Sequence, residues 1–287
     1  MSYQIVTDSC CDFTEEVYSQ LRVSYAPLTV TYNGKVQRNF TEERELAGFY
    51  EEMRQGATAS TAAANPQDWK DRMQPILDGG EDVLALCFSS GLSTTYQSAV
   101  IAAQELEEAY PQRKIRVVDS LCAALGQGFL LWHACGKRDE GMPLEELAQW
   151  LEEHRLHVCH WFTVDDLTHL RRGGRISAAT AIMGSMLNVK PILHVDNEGK
   201  LINVAKVRGR KAALEYLAKK LRSTATDMET AFITHGDCLE EAQELEKLLK
   251  KDGVKNVRIG CLGPVIGAHT GPGVLAVFFW GEQRYHQ

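Results

Sequence analysis

The chain has 287 residues, of which 44% are hydrophobic and 24% are charged, and its formal net charge is −7. These values are ordinary for a soluble globular protein, and the length favours two domains. The negative charge argues against general binding to nucleic acid, which needs a basic face. No apolar run approaches the ~20 residues of a membrane span, and the N-terminus lacks the pattern of a secretory signal. We therefore expect a cytoplasmic protein.

The eight cysteines are scattered along the chain, and none forms a C-x-x-C pair. Without an export signal, free thiols are the expectation rather than disulfides. Cys10 and Cys11 are adjacent after the first predicted strand, which leaves a redox role open, although no resolving cysteine is marked.

The first half alternates short apolar runs rich in Val and Ile with longer amphipathic segments, a pattern that predicts βαβ units and a mainly parallel sheet. Strands are predicted at 3–7, 24–32, 82–88 and 114–119. Helices are predicted at 14–22, 42–55, 66–78, 93–110, 122–138 and 143–157. The third of these helices has Asn65 as an N-cap and Pro66 at its first position.

The pattern changes after about residue 155, where we place a domain boundary between residues 1–155 and 156–287. The "DNEG" turn predicts an antiparallel hairpin, and two glycines end a short helix. Strands are predicted from residue 160 and at 190–195, 200–209, 231–235, 257–261 and 274–280, with helices at 210–224 and 238–251. The fold class is therefore α/β, with a mainly parallel sheet flanked by helices in the N-terminal domain and a mixed sheet with helices in the C-terminal one.

Polar clusters follow three strands of the first half, at 7–9, 89–93 and 118–120. Ligands of open α/β sheets bind outside the carboxyl ends of the strands, so these clusters should line one mouth. Ser93 also stands at a helix start, which is a ready site for an anion; the alternative is that Ser93 only caps the helix. A second hydroxyl-rich stretch, "TASTAAANP", runs from 58 to 66 and is either a ligand-facing segment or an ordinary loop.

The stretch "GPVIGAHTGPG" at 263–273 holds His269 and Thr270 between glycines and prolines. Glycine permits a close approach of ligand to backbone, and proline stiffens a turn. We expect a tight turn that positions the two side chains before the last strand. The alternative is a turn with a surface histidine.

Several motifs are absent: the phosphate loop, a G-x-G-x-x-G after the first strand, and the G-x-S-x-G elbow. The stretch that contains His154, His157, Cys159 and His160 is either a metal site or a group of histidines near a helix end. Two basic stretches, at 171–176 and 206–211, are either solvated faces or a docking patch for an acidic or phosphate-bearing partner.

Nine motifs occur in the order of a known family: "IVTDSCCDFTEE", "PLTV", "TASTAAANPQDW", "FSSGLSTTYQSA", "IRVVDS", "LRRGGRIS", "LNVKPIL", "KVRGRKAALEYL" and "GAHTGPGVLAVFF". Together they resemble the DegV family, the fatty-acid-binding proteins of the FakB type, across nearly the whole chain. The resemblance implies two α/β domains with a ligand tunnel between them. It also implies a non-enzymatic protein with no cofactor and no metal.

The resemblance further implies the ligand, its partner and its site. One long-chain fatty acid is bound and presented to a fatty acid kinase, which uses ATP to make an acyl-phosphate for phospholipid synthesis. Thr61, Ser93 and His269 would hold the carboxylate, with Thr94 and Thr270 beside them. Arg175, Arg208 and Arg210 resemble positions that face the kinase or the transferred phosphate. Nucleic acid is not an expected partner, and a transient contact with a membrane surface remains compatible with this function.

The sequence departs from the family pattern at two places: "TAAAN" stands where "TSQPS" is common, and "LSTTY" stands where "LSGTY" is common. Both departures adjoin the expected carboxylate site. The apolar segments 122–132 and 179–189 are candidates to line the tunnel and are equally well explained as core. Two other functions stay open: a hydrolase that uses Ser93 with His269 on an acyl substrate, and a phosphate- or nucleotide-binding regulator at the helix start.

Overall fold

The N-terminal half is built on a parallel sheet. The computed structural model describes residues 2–177 and 188–284. The elements of this half are β1 (Tyr3–Asp8), α1 (Glu15–Leu21), β2 (Ser24–Ala26), β3 (Thr29–Tyr32), β4 (Lys35–Arg38), α2 (Glu43–Arg54), β5 (Ser60–Ala62), α3 (Pro66–Asp78), β6 (Asp82–Cys87), α4 (Thr95–Ala109), β7 (Ile115–Asp119), α5 (Leu125–Asp139) and α6 (Leu144–His154). Strands β2, β1, β6 and β7 lie side by side in that order, and each pair is parallel. The prediction of a parallel sheet is confirmed.

The strand predicted at 24–32 is wrong, because two strands in different sheets occupy it. Pro27 separates them, and proline lacks the N–H that a continuous ladder needs. Strand β3 instead joins β4 and β5 in a three-stranded antiparallel sheet. Strand β5 lies in the stretch interpreted as a loop and is only three residues long. It is a strand because it pairs with β3, which sets Thr61 opposite Val30, and not because of a strand pattern in its sequence.

The C-terminal half is built on a six-stranded mixed sheet. Its elements are β8 (Val158–Thr163), α7 (Thr168–Arg172), β9 (Val189–Val195), β10 (Leu201–Arg208), α8 (Arg210–Thr224), β11 (Thr230–His235), α9 (Leu239–Lys251), β12 (Asn256–Cys261), α10 (Pro264–Thr270) and β13 (Leu275–Trp280). The strand order is β10-β9-β8-β13-β11-β12, and within it β11 and β12 pair in parallel while the other pairs are antiparallel. The mixed sheet and the hairpin of β9 and β10 agree with the prediction.

Three predictions are corrected, one in kind and two at a helix end. The stretch 263–273 is not a turn throughout, because it contains α10, with Pro264 at the first helical position and Gly271 (φ 77°) ending it. Helix α4 begins at Thr95, two residues after Ser93. The helix predicted at 143–157 ends at His154 and continues as a short 3-10 turn.

The two halves share a hydrophobic core. One buried cluster combines Ile5 and Leu84 of the parallel sheet with Leu193, Phe232 and Phe278 of the mixed sheet. The domain boundary near residue 155 therefore stays a prediction. Within the part of the chain that the structure describes, every helix is too short or too polar to cross a membrane.

Candidate functional site

The three polar clusters meet at the carboxyl ends of the parallel strands, but of the three only the cluster at 89–93 lines the cavity beside this edge. The Asp8 carboxylate accepts a hydrogen bond from the Phe88 N–H at 2.6 Å, and Asp119 accepts one from the Ser90 N–H at 3.2 Å. Burial raises the pKa of Asp8 to about 6, against hydrogen bonds from Phe88, Cys10 and Gln127 that lower it. Both carboxylates thus connect the ends of β1 and β7 to the loop that follows β6.

A cavity of about 450 Å³ lies beside this edge, lined by residues of both halves of the chain. Its size falls within the range of ~300–1,000 Å³ that is usual for small-molecule sites. Most of the lining is apolar. Six of the expected site residues line it, namely Thr61, Ser93, Thr94, Arg175, His269 and Thr270.

Thr61 and His269 form the polar centre of the cavity wall. Their Oγ1 and Nε2 atoms are 2.8 Å apart, and both residues are half-buried. Thr61 is in the middle of β5, and His269 is in the last turn of α10. Burial, with a smaller contribution from Arg175, lowers the pKa of His269 to about 4. The imidazole is therefore neutral at pH 7 and offers one N–H.

The other nitrogen of His269 is buried without a partner. Nδ1 makes no hydrogen bond in the described structure, and it lies against Gly173, where a Cβ would collide with it. No carboxylate orients the ring from this side. A catalytic histidine of the hydrolase type needs such an orienting group.

Ser93 contacts both the cavity and the start of helix α4, and its role in binding an anion stays a prediction. It lines the cavity, and its Oγ accepts a hydrogen bond from the Thr95 N–H at 3.2 Å and lies 2.9 Å from the Thr95 Oγ1. Thr94 is the exposed N-cap residue and makes no side-chain cap bond. Ser93 is thus hydrogen-bonded to Thr95 and His269 to Thr61, so the two residues required for a hydrolase are not paired with each other.

The three arginines are in three different situations. Arg175 lines the cavity, and its Nε and Nη1 donate to the carbonyls of Leu92 and Gly173 at 3.1 and 2.6 Å. Arg208 is exposed at the end of β10. Arg210 forms an ion pair with Glu241 at 2.6 Å and also donates to a backbone carbonyl. Neither Arg208 nor Arg210 is among the described residues that line the cavity.

A second group of lining residues, mainly apolar and called the apolar end below, was not assigned from sequence. Phe162 and Phe278 belong to it, together with His160 and Thr234. His160 is buried, donates from Nδ1 to the Val158 carbonyl at 2.8 Å, and accepts at Nε2 from a backbone N–H at 3.2 Å. Burial lowers its pKa well below the usual range. Thr234 donates to the Gly260 carbonyl at 3.2 Å.

The backbone therefore satisfies both polar side chains at this end. The alternation of inward and outward residues along β8 is the only sequence signal that could have marked His160 as a lining residue. Of the tunnel candidates, Ala123 and Ala124 of segment 122–132 line the cavity. Most of segment 179–189 lies outside the described residues.

The histidine-rich stretch does not assemble around a common point. His154 and His157 each bond a backbone carbonyl through Nδ1, at 2.8 and 3.2 Å. Over residues 2–177 and 188–284, no group of three or more His, Cys, Asp or Glu side chains could hold a metal ion. Cys10, Cys11 and the six other cysteines are free thiols, and burial raises the pKa of Cys10 and Cys11 well above the usual range.

Comparison with known proteins supports one family along the whole chain. The family model for the uncharacterised DegV proteins matches residues 2–282. A DegV domain-containing protein of Clostridium perfringens is 40% identical over 286 residues, which cover 98% of each chain. Among solved structures, a DegV family protein from Thermus thermophilus described by its fatty acid binding has a TM-score of 0.88 at 31% identity, covering 98% of this chain and 100% of its own.

A second structure points the same way. DegV of Bacillus subtilis, described as a fatty acid binding protein, has a TM-score of 0.84 at 30% identity and covers 98% of this chain and 100% of its own. The α/β fold with one parallel and one mixed sheet thus matches that of fatty-acid-binding relatives. The chain belongs to the DegV family.

Proposed function

We propose that this chain binds one long-chain fatty acid in the cavity and presents its carboxylate to a separate fatty acid kinase. The observation that carries the proposal is the division of the cavity lining into one polar group around Thr61 and His269, the polar end, and a mostly apolar remainder that includes Phe162 and Phe278. A fatty acid has the same division. The fatty acid binding of relatives with this fold supports the choice of ligand.

At the polar end, short donors suit a single carboxylate. Thr61 and His269 are hydrogen-bonded to each other at 2.8 Å. A carboxylate that enters between them exchanges this contact for one bond from the Nε2–H of the neutral imidazole and one from the Thr61 hydroxyl, with the Ser93 hydroxyl as a third donor. Each hydrogen bond to a charged group contributes about 1.5–3 kcal/mol. A neutral histidine holds the carboxylate without a tight ion pair, so one oxygen remains nucleophilic enough to attack a phosphoryl group.

At the apolar end, burial of the tail provides most of the affinity. Each buried CH₂ contributes about 0.8 kcal/mol, so a tail of ~14 methylenes has a gross driving force of about 11 kcal/mol before the cost of ordering the ligand and the wall. The aromatic rings and methyl groups that line this end offer no unsatisfied polar atom to oppose it.

The first test is native mass spectrometry of the purified protein, followed by solvent extraction and identification of any released acid. We expect one fatty acid per chain. A protein that carries none, and that takes up none when offered palmitate and oleate, would contradict fatty acid binding.

The kinase step needs a separate test. The palmitate-loaded protein is mixed with a fatty acid kinase and ATP, and acyl-phosphate is trapped as the hydroxamate with hydroxylamine. Arg208→Ala should lower the rate without releasing palmitate, because Arg208 is exposed and outside the cavity. Lys35→Ala, an exposed cation of β4, is the control. Equal rates for all three proteins would exclude Arg208 from the kinase contact.

A further inference from the structure

Helix α10 carries His269 but has few interactions of its own that stabilise it. It has seven residues, and isolated helices below ~12 residues are marginal in water. Its N-cap residue is Gly263, which has no side chain to bond the free N–H groups of the first turn. The position of His269 must therefore be fixed by contacts from elsewhere.

Those contacts come from the N-terminal half of the chain. Asn39 accepts a hydrogen bond from the Val265 N–H through Oδ1 at 3.1 Å, across 226 positions of sequence. This N–H belongs to the first turn of α10, so Asn39 does for the helix what an N-cap side chain normally does. The Nδ2 of Asn39 donates to the Ser9 carbonyl at 2.9 Å and to Asp12 at 3.1 Å, which fixes the amide orientation.

Asp12 and Gly263 complete this contact. Gly263 has φ −66°, so no unusual backbone conformation requires glycine there. A Cβ on Gly263 would instead collide with the side chains of Asp12 and Asn39. Asp12 is 4% exposed, and burial raises its pKa to about 8, against hydrogen bonds from Asn39 and the Gly263 N–H that lower it.

Tyr50 of α2 holds the same segment from another side. Its hydroxyl donates to the Leu262 carbonyl at 2.8 Å, just before α10 begins. A Cβ on Gly267 would lie 2.6 Å from the same hydroxyl oxygen. Tyr50 is fully buried, so its ring and hydroxyl form a rigid wall against the helix.

We propose that Asn39, Asp12 and Tyr50 are positioning residues that hold α10 so that His269 reaches Thr61 in the cavity. They lie outside the cavity lining and act through the helix. The importance of this arrangement for lipid retention rests on the proposed function, but the placement of His269 can be measured without any ligand.

The test follows the titration of His269 by ¹⁵N NMR in the ligand-free protein, with its signal assigned from His269→Ala. In Asn39→Ala the loosened helix should let water reach the ring, and the pKa should rise from about 4 towards the ordinary value of about 6.5. Tyr50→Phe, which is nearly isosteric and should fold, is expected to shift it in the same direction by less. Thr14→Ala is the control, because Thr14 caps α1, another seven-residue helix, away from the cavity.

Retention of cis-parinaric acid provides the second readout. Both variants should release it faster than the wild type, Asn39→Ala by about tenfold, and Thr14→Ala should not. Wild-type titration of His269 in folded Asn39→Ala and Tyr50→Phe would overturn the proposal, even if both lower the melting temperature. If Asn39→Ala does not fold, Tyr50→Phe decides alone. A wild type that binds neither cis-parinaric acid nor palmitate or oleate would refute the proposed function, while the titration would still judge the positioning.

Discussion

The two ends of the cavity are built from different kinds of structure. The apolar end comes from long neighbouring strands of the mixed sheet, where β8 and β13 pair so that Phe162 lies opposite Ala276 and His160 opposite Phe278. The polar end comes from a three-residue strand, a loop and the last turn of a short helix, which carry Thr61, Ser93 and His269.

The difference follows from what each end has to do. An apolar wall only has to exclude water, and the inward face of any buried strand pair does so. A carboxylate needs donors that converge on one point, and convergence joins segments far apart in sequence: Thr61 and His269 are 208 positions apart. Substitutions at the apolar end should therefore change which tail fits the cavity, and substitutions at the polar end should change the affinity for the carboxylate.

The largest effect is expected from filling the apolar end. Ala276 is buried, lines the cavity and belongs to β13, so a ring at this position in Ala276→Phe would occupy the space of the tail. Displacing about four methylenes costs about 3 kcal/mol, which is a loss of roughly 100-fold in the affinity for cis-parinaric acid. Fluorescence titration measures it.

Ala109→Phe, at an exposed position at the end of α4, controls for the added ring. Unchanged binding by a folded Ala276→Phe would mean that the tail does not reach this part of the cavity. The assignment of the two ends would then be wrong.

An effect of the same order or smaller is expected at the polar end from His269→Ala. Loss of one hydrogen bond to a charged group, about 1.5–3 kcal/mol, corresponds to roughly 10- to 150-fold weaker binding. His269→Gln keeps an N–H donor and should recover part of it. His157→Ala, which removes a half-buried histidine outside the cavity lining, should bind like the wild type; the same loss there would point to a general destabilisation.

Thr61→Val should cost less again. The exchange keeps the shape but deletes the hydroxyl that pairs with His269 at 2.8 Å. On binding, this hydroxyl exchanges its neutral bond to His269, about 0.5–1.5 kcal/mol, for a bond to the charged head group, about 1.5–3 kcal/mol. Its net contribution is therefore about 1–1.5 kcal/mol, or up to roughly tenfold in the dissociation constant. Thr31→Val on the neighbouring strand β3 is the matched control, because Thr31 pairs with Ser60 and does not line the cavity. An equal loss in both variants would assign the effect to the small sheet rather than to the head group.

The same division explains how much could be predicted from the sequence. The strands of both main sheets follow from apolar runs and turn signals, because their order is local. The three polar clusters after β1, β6 and β7 meet because carboxyl ends of parallel strands share one edge. The residues of the polar end were named from a family resemblance, and six of the eight line the cavity.

What could not be predicted depends on contacts between distant segments. Strand β5 exists because β3 pairs with it, and its "STA" sequence has no strand pattern of its own. Helix α10 forms in a Gly- and Pro-rich stretch that reads as a turn, and part of its N-terminal capping comes from Asn39 in the other half of the chain. No local signal marks Asn39 or Tyr50 as its partners.

The smallest effect is that of pH on the stability of the ligand-free protein, and the part of it that comes from His269 concerns the polar end alone. The folded-state pKa of His269 is lowered to about 4 by burial and by Arg175, whereas the unfolded chain has an ordinary value of about 6.5. Between these values the unfolded chain binds the extra proton, so His269 lowers the free energy of unfolding as pH falls from about 6.5 to about 4.

Other groups titrate in the same window, so the test has to be a difference between two proteins. His133 and His194 have pKa values lowered to about 4 and about 3 by burial and act in the same direction, whereas Asp8, with a raised pKa, acts in the opposite one. These contributions cancel when wild type and His269→Gln are compared by urea unfolding at pH 7, 6, 5 and 4. The wild type should lose more of its free energy of unfolding over this range than the variant. Parallel curves would mean that water already reaches His269, and that the polar end is open before a carboxylate arrives.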